Sequence, residues 1–452
     1  MIIKFLKNGE DRMSQKEKNT IGLKEAISIV VGVVIGSGIF FKASVVFASA
    51  QSPLLGILAW FFAGVITICS GLTVAEIASA IPKEGGLYAY LTELYGDLVG
   101  FLYGWVQVVI YFPAIMAASG IVLAETYAQL VGGFSPFQQK LLAIGIIIFL
   151  ALVHMISTKL VGKIQIVSTI GKLIPLFAII VFGIVKGHSG ELSSISLTGV
   201  SINGFGAALI GCLWAYDGWI SVATLAGEIE EPEKNLPKSI IIGLGIVILV
   251  YVLFSVGIIN TLPMTNVINS NAVAAEASAV LFGPIGAVIV SLGMLISVFG
   301  ALNGNMMAGS RMPVAMAKEG ALPASKVIEK INPKFGTPVN SIILLTALAM
   351  FYVFTGSFQT LTNMIVFVLW VFFVMGIYGI FKVRKEKMQA SYKVPLYPVI
   401  PVIALLGGIY IVVSCLQSNF SNAIVGMLIT LVGFPVYLYL NKRKNKEAIN
   451  LD

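Results

Sequence analysis

Runs of apolar residues recur along the chain at a length that fits a lipid bilayer. About 20 helical residues cover a hydrocarbon core of roughly 30 Å. Polar segments separate about twelve such runs. We therefore predict an all-α membrane protein with twelve transmembrane helices. They lie at roughly 27–49, 54–80, 98–130, 141–158, 162–185, 203–226, 239–262, 284–315, 339–355, 359–381, 397–417 and 421–440.

Two of these apolar runs are interrupted near their middle by glycine next to a polar residue. The first contains Gly36-Ser37-Gly38, and the sixth contains Trp214-Ala215-Tyr216-Asp217-Gly218-Trp219. Glycine weakens a helix interior, and a break inside the membrane is tolerated where the freed backbone is buried in protein or lines a wet cavity. For the first triplet alone, a broken helix and a close helix–helix contact both remain open.

The two interruptions open two sets of five helices. Paired broken helices in corresponding halves indicate a transporter built from inverted repeats, with its site at the midplane. The N–H groups that open a half-helix suit a small anion such as an amino-acid carboxylate, and unwound carbonyls suit an ammonium group. We therefore predict helices one and six to be broken at mid-membrane around a small-molecule site.

This pattern also predicts how the chain is divided. The N-terminal tail lacks the short apolar core and cleavage site of a signal peptide, so we expect the first span to stay in the mature protein. The predicted parts are a cytoplasmic tail (1–24), a ten-helix core (25–383) with repeats at about 25–186 and 202–383, two peripheral helices (395–440) and a second cytoplasmic tail (441–452).

Composition and charge agree with a membrane protein. The chain is 58% hydrophobic and 11% charged, with a mean hydropathy of +0.95. Its net charge of +8 has a one-sided distribution. With the N-terminus inside, about 25 Lys and Arg residues fall on the cytoplasmic side and about three, Lys42, Lys140 and Lys186, outside. We expect both termini to be cytoplasmic, and the basic surplus to contact anionic lipid rather than nucleic acid.

Three of the charged residues inside apolar runs carry specific predictions. Lys172 is near half depth in the fifth span and needs a partner in the bundle interior, unless the span boundaries are shifted. Glu76 lies about one turn inside the second span, so we expect a basic partner from a neighbouring cytoplasmic loop and a gating or structural role. Asp217 has two interpretations: an N-cap of a second half-helix, which we favour, and a substrate contact.

Two further polar residues have two interpretations each. Tyr111 in the third span faces a cavity or packs in the core, and Asn303 in the eighth span lines the cavity or bonds helix to helix.

The sequence offers few residues for metal binding or catalysis. The three cysteines and two histidines lack metal-like spacing, so we expect no metal, cofactor or disulfide framework. No nucleophile and base occur at one depth, which argues against an intramembrane enzyme and leaves a channel as another alternative.

Several motifs are similar to those of a known family. They are Ile35 to Phe40, Pro82 with Gly85-Gly86 and Tyr88/Tyr90, Ala215 to Trp219, the Glu228 to Pro237 loop, and Arg311 with Leu322-Pro323. In this order they resemble the amino acid-polyamine-organocation superfamily. The chain looks most like the L-amino-acid transporter subfamily, including its serine/threonine and alanine-serine-cysteine exchangers. The resemblance runs from about residue 20 to 443.

The resemblance implies a LeuT-type fold with a 5+5 inverted repeat and two extra helices. It further implies sodium-independent exchange of small neutral L-amino acids: serine, threonine and alanine, with cysteine as a further candidate. The GSG backbone would hold the carboxylate, and carbonyls of both broken helices would hold the ammonium. The substrate-binding residues so implied are Val33, Ile35, Gly36, Ser37, Gly38, Trp214, Ala215 and Tyr216.

Two more roles follow from the resemblance. Trp214 matches the family's outer gate, and Lys172 stands where sodium-coupled relatives bind a cation, tying span one to span eight. A proton-coupled symporter that titrates Lys172 is the alternative, because burial can lower a lysine pKa into the working range.

This chain departs from the family pattern in two places. Family members often carry Phe at the position of Trp214, and a bulkier ring is consistent with small substrates. Residues 131–139 lack the cysteine that joins animal members to a glycoprotein, so we expect no disulfide-linked heavy chain. We expect a monomer in a bacterial plasma membrane.

Overall fold

Helices make up the secondary structure of the described chain. The computed structural model describes residues 21–36, 38–81, 83, 85–191, 202–220, 229–270 and 272–449. Within these ranges the chain is helical apart from turns, loops and one isolated bridge between Ile21 and Ile229. The all-α class predicted from the apolar runs is confirmed.

The helices follow one another with short connections. In chain order they are α1 (Leu23–Val34), α2 (Gly38–Ala50), α3 (Pro53–Ala80), α4 (Leu87–Tyr95), α5 (Asp97–Val106), a π-helical segment (Gln107–Tyr111), α6 (Phe112–Val131), α7 (Pro136–Ile156), α8 (Thr158–Lys186), α9 (Ile202–Ala215), α10 (Pro232–Thr261), α11 (Met264–Asn269), α12 (Val273–Gly309), α13 (Arg311–Lys318), α14 (Ser325–Ile328), α15 (Val339–Thr355), α16 (Phe358–Lys385), α17 (Val399–Ser418) and α18 (Phe420–Ile449).

Within the described ranges, nine helical stretches are long and apolar enough to cross a membrane. The bent pair α1–α2 is a tenth candidate. Two predicted spans, the sixth and the ninth, appear as shorter apolar helices, Gly204–Ala215 and Val339–Thr355. A multi-pass membrane protein is therefore supported, while the count of twelve stays a prediction.

Local sequence explains where several helices begin. Ser52, Ser135 and Ser357 each occupy the N-cap position with extended backbone. Each side chain accepts a hydrogen bond from the backbone N–H three residues on, and Pro53 and Pro136 follow two of them at a position where a missing N–H is harmless. These caps set the starts of α3, α7 and α16.

The bent pair lies inside the bundle. Helix α1 packs against α10, and α2 packs against α9 and α3. Helices α8 and α10 pack closely where Gly183 meets Gly257. A Cβ added to Gly183 would lie 2.7 Å from the Gly257 carbonyl oxygen. We call the side on which α1 begins the N-terminal face, and the side on which α2 ends the opposite face. The site described next lies between them.

Candidate functional site

The first predicted span is divided into two helices. Helix α1 ends at Val34, and Ile35 has φ −69° and ψ 97°, outside helical geometry. Helix α2 begins at Gly38, and the two axes differ by 55°. Ser37 lies outside the described residues. The structure therefore places the change of direction at the glycine-containing triplet.

The end of α9 meets this break directly. A Cβ added to Gly38 would lie 2.6 Å from the Cα of Ala215, closer than atoms can approach. Only glycine allows this contact, because any side chain would push the two backbones apart. The two chain segments that carry the predicted substrate-binding residues are therefore in contact.

Tyr251 of α10 joins the two segments through their carbonyl groups. Its hydroxyl lies 2.9 Å from the carbonyl oxygen of Val34 and 2.9 Å from that of Ala215. A hydroxyl has one proton, so it is donated to one oxygen or shared. The sequence analysis missed Tyr251, whose signal was a single hydroxyl within the apolar run Ile246 to Phe254.

The chain leaves helical geometry just after Ala215. Residues 216–220 form turns, and Gly218 has φ +95°, a conformation that favours glycine. The Tyr216 ring lies against the Tyr251 ring, with 5.1 Å between ring centroids, and its hydroxyl donates to the Trp60 carbonyl at 3.0 Å. The Tyr216 side chain is therefore held between α3 and α10. The second half-helix expected in the sixth span falls on residues 221–228, outside the described residues.

Asp217 is held by the third span. The Tyr111 hydroxyl donates to Asp217 Oδ2 at 2.7 Å from the π-helical segment. A π-helical turn inside a helix often marks a functional position. The N-cap predicted for Asp217 concerns residues beyond the described part, so that interpretation stays a prediction.

Lys172 contacts the first of the two half-helices. The residue lies in α8 with 7% of its surface exposed, and its Nζ donates to the Gly32 carbonyl oxygen at 2.7 Å. The hydrogen bond inside the bundle is the kind of partner expected for a lysine at this depth. Helix α8 also packs closely on α12, where a Cβ at Gly171 would lie 2.7 Å from Ile296. The hydrogen bond of Lys172 ties it to α1, and helix α8 itself makes the contact with α12.

Lys42 is a buried charge in the second half of the first span. The sequence analysis counted it on the outer side of the membrane, and that side stays a prediction. Its side chain is completely buried. Its Nζ donates to Gln359 Oε1 at 2.8 Å and to Thr362 Oγ1 at 2.6 Å. Helix α2 starts at Gly38, so Lys42 lies in the second turn of a helix that continues to Ala50.

Trp214 is packed at the end of α9. The side chain is 7% exposed, and its ring meets Phe358 of α16 edge-on, with 6.1 Å between ring centroids. Val33 differs from it, since 46% of its surface is exposed. The chain is thus closely packed on the opposite face of the junction and more open beside α1.

Asn303 belongs to a network between helices. Its Oδ1 lies 3.1 Å from His154 Nε2, and its Nδ2 donates to Gln165 Oε1 at 2.9 Å and to the Val161 carbonyl at 3.2 Å. The side chain is fully buried. These contacts favour the helix-to-helix interpretation of Asn303 over the cavity-lining one.

Glu76 has the basic partner that its depth predicts. Arg384 Nε lies 2.6 Å from Glu76 Oε1, and the Val394 N–H donates to Glu76 Oε2 at 2.7 Å. Arg384 belongs to the last turn of α16 rather than to a loop. The pair closes the N-terminal face between α3 and α16, away from the junction.

The junction therefore combines two kinds of backbone group in a buried place. Carbonyl oxygens at Val34 and Ala215 carry partial negative charge, and the first N–H groups of α2 lack helical partners and carry partial positive charge. Together they suit a small zwitterion. In the described ranges, no group of three or more His, Cys, Asp or Glu side chains could hold a metal ion.

Apolar helices around a site built of backbone groups define a membrane transporter rather than an enzyme. The sequence profile of the family described as Amino acid permease matches residues 21–437. The chain belongs to this family, part of the amino acid-polyamine-organocation superfamily, which confirms the resemblance.

Relatives across the whole chain agree with this assignment. The chain is 38% identical to the serine/threonine exchanger SteT of Bacillus subtilis, over 94% of this chain and 98% of that protein. It is 31% identical to human large neutral amino acids transporter small subunit 2, over 93% and 80%. It is 30% identical to the human cystine/glutamate transporter, over 95% and 86%.

Proposed function

We propose that the protein is a sodium-independent antiporter that exchanges small neutral L-amino acids by alternating access. Serine, threonine and alanine are the proposed substrates, with cysteine as a further candidate. The observation that carries the proposal is the contact between the α1–α2 break and the end of α9. The similarity to a bacterial serine/threonine exchanger along nearly the whole chain supports the choice of substrates.

In this proposal the substrate is bound through its backbone atoms. The N–H groups of Gly36, Ser37 and Gly38 hold the carboxylate, and the α2 dipole favours its negative charge. Carbonyls of residues 33–35 and 214–216 hold the ammonium. Only the side chain of the substrate then distinguishes one amino acid from another, and Trp214 acts as the gate that limits its size.

Sodium independence is proposed from Lys172. Its ammonium group already satisfies the Gly32 carbonyl at 2.7 Å, beside the break. A fixed cation there takes the place of a metal ion that would otherwise bind the same carbonyl oxygens. The protonated lysine supplies this positive charge, so the proposed transport needs no sodium gradient.

The remaining proposals concern the setting of the site. The core at 25–383 contains two repeats, about 25–186 and 202–383, and residues 395–440 form a peripheral pair. The N-terminal face is cytoplasmic, in accord with the predicted distribution of basic residues. We further propose a monomer in the plasma membrane without a disulfide-linked heavy chain.

Counterflow in proteoliposomes tests the proposal. Uptake of labelled serine should require unlabelled serine, threonine or alanine inside the vesicles and should not change when sodium replaces choline. Equal uptake into empty vesicles would contradict exchange.

The buried position of Lys172 favours one second candidate, a proton-coupled symporter. Accumulation driven by an imposed pH gradient, without internal substrate, would support that candidate instead.

A further inference from the structure

Lys42 is a buried lysine that the proposed transport site does not use. It lies one turn after Gly38 on the same side of α2, because residues four apart share a helix face. An ammonium group in a membrane interior is expensive to place, so such a residue generally has a function. Its Nζ donates hydrogen bonds to two side chains, Gln359 and Thr362, both in the first two turns of α16.

The same ammonium group also contacts an aromatic ring. Lys42 Nζ lies 4.7 Å from the centroid of Phe358, within the range of a cation–π interaction. The Phe358 ring in turn meets Trp214 at 6.1 Å and Phe41 at 6.2 Å, both edge-on. Lys42 therefore holds one side of the ring whose other contacts include the proposed gate.

The acceptors of Lys42 are themselves fixed in orientation. Gln359 Nε2 donates to Asn363 Oδ1 at 3.0 Å, and Asn363 Nδ2 donates to Asn419 Oδ1 at 2.7 Å. Gln359 thus turns its oxygen toward Lys42, and Asn363 turns its oxygen toward Gln359. This chain of donors and acceptors runs from α2 through α16 to the end of α17, so it connects the gate to a helix outside the ten-helix core.

We infer that Lys42 is a positioning residue for the gate: it fastens α2 to the start of α16, holds Phe358 against Trp214, and so keeps the site closed toward the opposite face. The inference rests on the proposed role of Trp214. In this account, opening toward that face requires α2 to leave both α9 and α16, so the Lys42 bonds must then break. Lys42 thus sets the balance between the closed and open forms.

Thiol labelling measures this balance without any transport. Ala208 of α9 is buried one turn before Gly211, where a Cβ would lie 3.0 Å from Val46 of α2. An Ala208→Cys reporter should react with a membrane-impermeant maleimide when α2 and α9 separate. The native cysteines are buried, and the protein without the reporter gives the background.

In the reporter protein, Lys42→Met keeps the length of the side chain and removes its bonds. We expect labelling from the opposite face to rise about a hundredfold, because two buried hydrogen bonds from a charged group are lost at about tenfold each. Lys42→Arg should restore slow labelling because it keeps the charge and the donors. Lys140→Met is the matched control, since Lys140 lies on the same face and donates to the Phe354 carbonyl at 3.0 Å; its labelling should equal that of the reporter alone.

Exchange kinetics give a second readout. For Lys42→Met, the KM for substrate added at the opposite face should fall, since more protein is open there, and the maximal exchange rate should also fall. Labelling and KM equal to those of Lys140→Met would overturn the inference. A wild-type protein that exchanges no amino acid would contradict the proposed function but leave the labelling result in force.

Two milder variants keep the inference testable if Lys42→Met does not fold. Thr362→Val and Gln359→Met each remove one acceptor and keep the side-chain size. Each folded variant should label about tenfold faster than the reporter protein alone, which is less than the hundredfold expected for Lys42→Met. Reporter-like labelling in both would overturn the inference.

Discussion

Lys172→Ala is the substitution that most directly tests the proposed cation substitute. The lysine donates to the Gly32 carbonyl at 2.7 Å, with 7% of its surface exposed. A hydrogen bond to a charged group contributes about 1.5 to 3 kcal/mol, and each 1.4 kcal/mol is about a factor of ten. If that energy holds α1 in register with the site, exchange should fall by about tenfold to a hundredfold.

The assay is serine counterflow at equal amounts of reconstituted protein. The variant should elute as a single peak in detergent, with a lower melting temperature than the wild type, because a hydrogen bond and a buried aliphatic stem are lost. Lys163→Ala is the matched control, since Lys163 is an exposed lysine near the start of the same helix. Wild-type exchange by folded Lys172→Ala, or an equal loss in Lys163→Ala, would refute the reasoning.

Three further predictions concern the junction and the N-terminal face. Gly38→Ala should abolish serine counterflow, because its Cβ would lie 2.6 Å from the Ala215 Cα, whereas Gly32→Ala, with nothing within 4 Å, should keep the helix packing. Trp214→Ala should raise the KM for serine by about tenfold through loss of a packed aromatic contact and its buried area; unchanged kinetics would remove Trp214 from the site. Glu76→Gln should lower the melting temperature more than Arg384→Gln combined with it, since the single change leaves the guanidinium without its carboxylate; additive losses in the double variant would contradict the pairing.

The sequence predicts best those features that follow from the bilayer. Apolar length locates the helices, and an acid inside an apolar run requires a partner, which Glu76 has in Arg384. The identity of that partner could not be predicted, because the two residues are 308 positions apart and only the packing of α3 on α16 brings them together.

The contacts of Lys42 and Tyr251 could not be predicted from the sequence. A charge count assigned Lys42 to the outer side of the membrane, but such a count does not tell whether the side chain is exposed or buried against another helix. Tyr251 looked like one aromatic residue in an apolar run, and only the meeting of two chain segments gives its hydroxyl two carbonyl neighbours. Both residues depend on contacts across the fold, which local patterns do not contain.

The central claim is that a zwitterionic amino acid binds where the α1–α2 break meets the end of α9. An experimental structure determined with serine bound tests it most directly. We predict serine density at this junction, with the carboxylate at the N–H groups of residues 36–38 and the ammonium at carbonyls of residues 33–35 and 214–216. Serine bound elsewhere, or residues 34–38 forming a continuous helix in that structure, would contradict the account.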